Sequence, residues 1–185
     1  MKKIRPNPRD FLLKKMPKNS IGAEIGVWKG VFTQRILNLV EPQELHLIDP
    51  WKFQKEFPNR LYGGQVAKSQ EDMDKISESV LAKTRGKNVI IHRDFSSNVI
   101  PQLENNYLDW VYIDGNHHYE FVKQDLELCF QKVKVGGFIA GDDYNWNPKE
   151  ARDDFPVRRA VNEFIGTGLV TVEEVRNNQF ILKKE

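Results

Sequence analysis

The chain has 185 residues, 39% of them hydrophobic and 29% charged, with a mean hydropathy of -0.58; that is enough for one globular core and excludes a disordered or fibrous chain. Its single cysteine, Cys129, excludes an internal disulfide and a Cys-based zinc site. The net charge of +2 conceals a basic start: residues 1–19 hold seven Lys or Arg against Asp10, leaving 21 basic against 25 acidic residues elsewhere. This is not the broad basic face of a nucleic-acid binder, and no nucleic-acid partner is expected. No apolar run reaches the ~18 residues of a membrane span, and Phe11, Leu12 and Leu13 are too short a run for a secretory signal, so the expected location is cytoplasmic. The basic arm has two readings, a solvated helix tucked onto the body through Phe11, Leu12 and Met16, or a clamp for an anionic substrate or surface.

In chain order, short runs rich in β-branched residues alternate with amphipathic stretches. The pattern predicts a strand over 21–25, a helix over 31–39, a strand over 45–48, a helix over 66–83 and a strand over 88–92. It continues with a strand over 110–113, a helix over 119–133, a strand over 138–140 and a helix over 157–165. The helix over 119–133 keeps Phe121, Val122, Leu126, Cys129, Phe130 and Val133 on one stripe, and Gly136 and Gly137 are expected to stop it. Strands over 169–174 and 179–183 follow, joined by Arg176, Asn177 and Asn178, a turn short enough for an antiparallel hairpin. The expected fold class is α/β: a single doubly wound Rossmann-like sheet of seven strands, mostly parallel with a C-terminal antiparallel hairpin, with helices on both faces and one domain over 1–185. The segments 50–64 and 144–156 fit neither period and begin at carboxyl ends of strands, so both are expected to be active-site loops, the first a glycine-hinged lid.

The chemistry-bearing residues sit at those strand ends. The first strand runs into Glu24-Ile-Gly26-Val-Trp-Lys-Gly30, a glycine-bearing turn spaced E-x-G-x-x-x-G, which does not match the G-x-G-x-x-G of dinucleotide sites. Gly26 allows close approach of a ligand, while Glu24 repels a phosphate and suits a cation. Asp49 ends the second strand, where a carboxylate can accept both hydroxyls of a ribose or simply close an Asp-Pro turn. Asp94, Phe95 and Ser96 end the third strand and offer an acceptor, an aromatic face and a hydroxyl. Asp114, Asp142 and Asp143 fall at the ends of the next two, and such a cluster suits a hard cation such as Mg²⁺ or Ca²⁺, unless one of the last pair only caps a loop. His117 can take a proton near neutral pH.

Two segments carry a family resemblance: Tyr112-Ile-Asp114-Gly115-Asn-His117-His-Tyr119 and Gly136-Gly137-Phe-Ile-Ala-Gly-Asp142-Asp143-Tyr144. With Glu24, Gly26 and Asp49 in order before them, the chain from about residue 21 onward resembles the class I S-adenosylmethionine-dependent methyltransferases, in the small-molecule branch. The resemblance implies O-methylation of a small hydroxylated molecule, with Glu24 and Gly26 on the methionyl end of the cofactor, Asp49 on its ribose, and Asp94, Phe95 and Ser96 around adenine. It places Asp114 beside the methyl donor as a cofactor-binding and catalytic residue, His117 as the base, and Asp114, Asp142 and Asp143 on a divalent metal. The chain departs from metal-dependent relatives at Asn116, where they carry an acid. The rival expectations are a metal-dependent oxygenase or hydrolase using the same acids, and a module that binds a nucleoside or partner protein without turnover. No membrane partner is expected, and the sequence does not indicate an oligomeric state.

Overall fold

The computed structural model describes residues 7–148 and 154–185. The first six residues of the basic arm and residues 149–153 of the second expected loop lie outside the described residues. Short helix α1 (Asp10–Leu13) leads into β1 (Ile21–Ile25), α2 (Val31–Leu39), β2 (Glu44–Ile48), α3 (Gln70–Thr84) and β3 (Val89–His92). Then come α4 (Ser96–Val99), β4 (Leu108–Ile113), α5 (Tyr119–Lys132), β5 (Val133–Gly141), α6 (Pro156–Ile165), β6 (Val170–Arg176) and β7 (Gln179–Lys184). The sheet runs in the order β3-β2-β1-β4-β5-β7-β6. Strands β1 to β5 are parallel to one another, and β7 is antiparallel to both β5 and β6.

Both sheet faces are covered, because alternate residues of each strand feed different cores. On one face Ala23, Ile25, Val111, Ile113 and Ile139 pack with Val122, Leu126 and Cys129 of α5 and Val157, Val161 and Phe164 of α6. On the other, Leu45, Leu47, Trp110, Tyr112 and Ile181 meet Leu12, Leu13 and Met16 of the arm, Phe32 and Ile36 of α2, and Met73 and Val80 of α3. Burying each such side chain is worth ~1.5–3 kcal/mol. The arm is therefore docked through Leu12, Leu13 and Met16; Leu13 joins the expected Leu12 and Met16, while Phe11 is only half-buried against the cluster.

Three local expectations need correction. Helix α5 ends at Lys132, before the glycine pair; Gly136, at φ +78°, and Gly137 lie within β5, where the pairing with β4 shifts register between Leu108 and Trp110. Glycine here opens an irregularity in a strand and does not stop a helix. Helix α3 begins at Gln70 rather than 66, because the Ser69 hydroxyl accepts from the Asp72 amide and caps it there; Leu61–Gln65 form a separate π-helical turn. Phe121 is exposed at the edge of the α5 stripe, where it faces the Phe57 ring.

Candidate active site

The strand order reverses between β1 and β4, and in open α/β sheets that switch point is where ligands bind. The two strand ends are pressed together: the Asp114 amide donates to Ile25 O at 2.8 Å. Gly26 has φ +85°, and a Cβ there would lie 1.9 Å from Asp114 O. The glycine is thus demanded first by the junction of two strands and only then by any ligand in front of it. From this junction a cavity of about 640 Å³ opens, lined by Glu24, Gly26, Asp49, Phe95 and Ser96 at one part and by Asp114, His117 and Asp143 at another.

Glu24 is 1% exposed and accepts the Thr33 hydroxyl at 2.6 Å. Burial pushes its carboxyl up to about 8, with the Thr33 hydrogen bond opposing and Asp114 and Asp49 adding repulsion. Asp49 bridges two turns: Oδ2 accepts the Trp28 amide at 2.8 Å and Oδ1 the Trp51 amide at 2.7 Å. Both tryptophans have positive φ, +51° and +38°, and the Trp51 indole donates to Trp28 O at 2.9 Å. The carboxylate holds two strained corners in place, and burial raises its pKa against those amide hydrogen bonds. Phe95 and Ser96 face the cavity, whereas Asp94 is exposed and turned onto its own helix start, accepting the Phe95 amide at 2.7 Å and Asn98 Nδ2 at 2.9 Å.

At the other part of the cavity His117 lies between two carboxylates, Nδ1 at 3.1 Å from Asp143 Oδ2 and Nε2 at 3.4 Å from Asp114 Oδ1. The second approach is an ion-pair distance out of line for a hydrogen bond, so Nε2 is buried with no hydrogen-bond partner among the described residues. Burial alone would lower the imidazole's pKa; Asp114, Asp143 and Asp142 outweigh it, and the net shift is upward. Asp143 adopts φ +56°, fixed by Asn178 Nδ2 on its Oδ1 at 2.9 Å. Ligand atoms of Asp114, His117 and Asp143 fall within 4.8 Å of one another. Asp142 stands apart from that group: its Oδ2 pairs with Arg9 Nη2, and its Oδ1 accepts from Gln179 Nε2 and from the Asp143 amide.

Two site residues escaped sequence reasoning. Arg9 reaches the strand ends from the basic arm, its Nη1 3.0 Å from Asp114 Oδ2 and 3.3 Å from the Tyr112 hydroxyl. Asp125, on α5, lines the cavity at 3% exposure, and burial pushes its carboxyl up to about 6 against a hydrogen bond from Ser96; an acid inside the apolar stripe of that helix was the available signal.

The 50–64 segment folds over the mouth with internal hydrogen bonds, Gln54 amide to Tyr62 O at 3.0 Å and Arg60 amide to Phe57 O at 2.9 Å. The Arg60 guanidinium lies 4.3 Å from the centroid of Trp146, so the first loop rests on the second. Gly63 does not act as a free hinge, since a Cβ there would lie 1.8 Å from Phe57 O.

Comparisons with known proteins agree with this fold. A family model described as a methyltransferase domain matches residues 23–144. An uncharacterised protein of Acanthamoeba polyphaga mimivirus is 31% identical over 107 residues, covering 54% of this chain and 44% of that protein, so the match spans less than half of that curated relative. Among solved structures, the O-methyltransferase NovP superposes with a TM-score of 0.66 at 17% identity, covering 96% of this chain and 79% of that one. A putative methyltransferase from Streptococcus mutans, solved in complex with SAH, gives 0.60 at 15% identity, covering 98% of this chain and 100% of that one. A putative S-adenosyl-L-methionine-dependent methyltransferase from Methanococcus maripaludis gives 0.63 at 15% identity, covering 95% and 82%. At these identities the structural likeness concerns the fold.

Proposed function

The chain belongs to the methyltransferase-domain family, and from that premise we propose that it transfers a methyl group from S-adenosylmethionine to an oxygen of a small hydroxylated molecule. One observation carries the reading: one cavity joins the Glu24–Gly26 turn to His117, whose Nε2 is buried with no hydrogen-bond partner among the described residues. The cavity suits this cofactor on charge. Glu24 is a desolvated acid with a raised pKa on a turn whose glycines do not match the phosphate-binding spacing, which favours a ligand bearing an ammonium and a sulfonium.

In this reading Glu24 receives the ammonium, Asp49 offers its remaining lone pairs to the ribose, and Phe95 and Ser96 flank the base. Asp94 contributes by fixing the backbone from which Phe95 projects. When bound, the cofactor supplies an activated methyl: its S–CH3 bond breaks with the electron pair left on sulfur as the acceptor oxygen forms O–CH3. His117 holds Nδ1–H toward Asp143, which leaves the Nε2 lone pair to take the acceptor's hydroxyl proton. Asp114 flanks both the methyl donor and the imidazole. The loops carrying Arg60 and Trp146 exclude water and orient the acceptor, and near-attack positioning can supply up to ~7–11 kcal/mol of the barrier. A divalent cation is the other use of Asp114, His117 and Asp143, and no step above requires one.

The test is transfer of label from methyl-labelled S-adenosylmethionine to a panel of sugars, catechols and other hydroxylated acceptors. Labelled O-methyl product is expected, with turnover reduced ~10²–10⁴-fold in His117→Ala. Label that reaches only nitrogen or carbon, or full turnover in His117→Ala, contradicts the reading.

A further inference from the structure

We infer that Arg9 takes the place of a divalent cation in the acid cluster, so that the catalytic centre is completed by the basic arm. The inference rests on side-chain placement and is independent of which acceptor is methylated. Asp114, Asp142 and Asp143 end adjacent strands, and three such carboxylates require a counter-charge. The guanidinium supplies it, spanning Asp114 Oδ2 through Nη1 and Asp142 Oδ2 through Nη2, the two-armed geometry that arginine offers and lysine does not. The Tyr112 hydroxyl and the face of Phe32, 5.3 Å from the Arg9 carbon, complete its seat.

The arm is built to deliver this one side chain. Asp10 is gripped by the Arg35 guanidinium at 2.5–2.9 Å, Pro8 O accepts Asn177 Nδ2 at 3.0 Å, and the Asn7 side chain accepts the Arg9 amide at 2.9 Å. Behind it, Leu12, Leu13 and Met16 are buried. Polar ties thus flank Arg9 on both sides, at Asn7 and Pro8 and at Asp10, with the apolar anchor beyond them.

The oxygen inventory leaves a metal little to bind. Arg9 takes Asp114 Oδ2 and Asp142 Oδ2; Gln179 and the Asp143 amide take Asp142 Oδ1; Asn178 takes Asp143 Oδ1. Among the described residues Asp114 Oδ1 and Asp143 Oδ2 remain, both facing His117. Mg²⁺ or Ca²⁺ would need six or more oxygen ligands and would sit beside a guanidinium. Removing the Arg9 charge frees carboxylate oxygens on two adjacent strand ends, which is the opening a hard cation requires.

Titration of Mn²⁺, followed by its paramagnetic resonance signal, distinguishes the two arrangements in the full chain. Wild type should show no saturable site at micromolar concentrations; Arg9→Ala should gain one, tighter by about tenfold or more, and Arg9→Ala with Asp114→Asn should lose it. Micromolar Mn²⁺ binding by wild type that Asp114→Asn abolishes overturns the inference, as does a folded Arg9→Ala protein with no gain. Thermal melting establishes folding; if Arg9→Ala does not melt cooperatively, Arg9→Gln, which removes the charge and keeps donors, is subject to the same two outcomes. S-Adenosylhomocysteine titrated into the same wild-type sample separates the two claims, since its failure to bind would overturn the proposed function and leave the Mn²⁺ result standing.

Discussion

Glu24 is buried, and the proposed function asks its carboxylate to be negatively charged when the cofactor is bound. Burial pushes its carboxyl up to about 8, so on the proposed function binding of the cofactor's ammonium would lower that pKa and release the proton to solvent. Glu24→Gln keeps the shape and removes that charge, and calorimetry should show S-adenosylhomocysteine binding weakened by roughly 1.5–3 kcal/mol, the scale of a charged hydrogen bond. Stability moves the other way. A carboxyl raised from 4.5 to about 8 on folding favours the folded state at low pH, and that contribution is lost as pH rises through this window. Melting temperatures measured between pH ~5 and ~9 should therefore show the variant gaining on wild type as pH increases. His117 carries a second signature. Its pKa is raised above 6.5 by neighbouring carboxylates acting against burial, and the base must be neutral, so kcat/KM should rise with pH along a limb centred above that value. Asp143→Asn should move the limb to lower pH, and an unmoved limb would count against His117 as the base.

The strand-end turns show what an element can hide from its own sequence. Asp49, expected to accept the ribose at the tip of β2, is shown by the structure to close the corners at Trp28 and Trp51. Asp49→Ala should thus weaken S-adenosylhomocysteine binding by roughly 1.5–3 kcal/mol and also lower stability by ~1–3 kcal/mol, because two buried amides lose their acceptor. A variant with unchanged melting but lost binding would make the carboxylate purely a ligand contact. Strands β1 and β7 and helices α2 and α6 were legible because apolar periodicity is a local property. The start of α3 at Ser69 and the glycine pair inside β5 were not, since Ser69 could as well have lain within a helix, and Gly-Gly serves both to end helices and to relieve strand register.

At the scale of the whole molecule, the site is the meeting of distant segments. That Glu24, Gly26, Asp49 and His117 line one cavity was readable because each lies in a strand-end motif. Arg9 was not, because its partner Asp114 is 105 positions away and nothing in either motif marks the pair; the acids looked uncompensated only when read within their own segments. Asp125 was passed over for a related reason: its burial depends on the packing of α5 beneath Ser96. The basic arm, the β1–β4 switch point and the β6–β7 hairpin, which supplies Asn177, Asn178 and Gln179, enclose the acid cluster together. Among the described residues no helix is long and apolar enough to cross a membrane.

The central claim, that this cavity holds the methyl donor, is tested most directly by calorimetric titration of S-adenosylhomocysteine into the full chain, with NAD as the control nucleotide. The account predicts saturable one-to-one binding in about the micromolar range, weakened in Glu24→Gln and Asp49→Ala, with no heat from NAD. Binding of NAD with none of S-adenosylhomocysteine, or S-adenosylhomocysteine binding untouched by both substitutions, would contradict it.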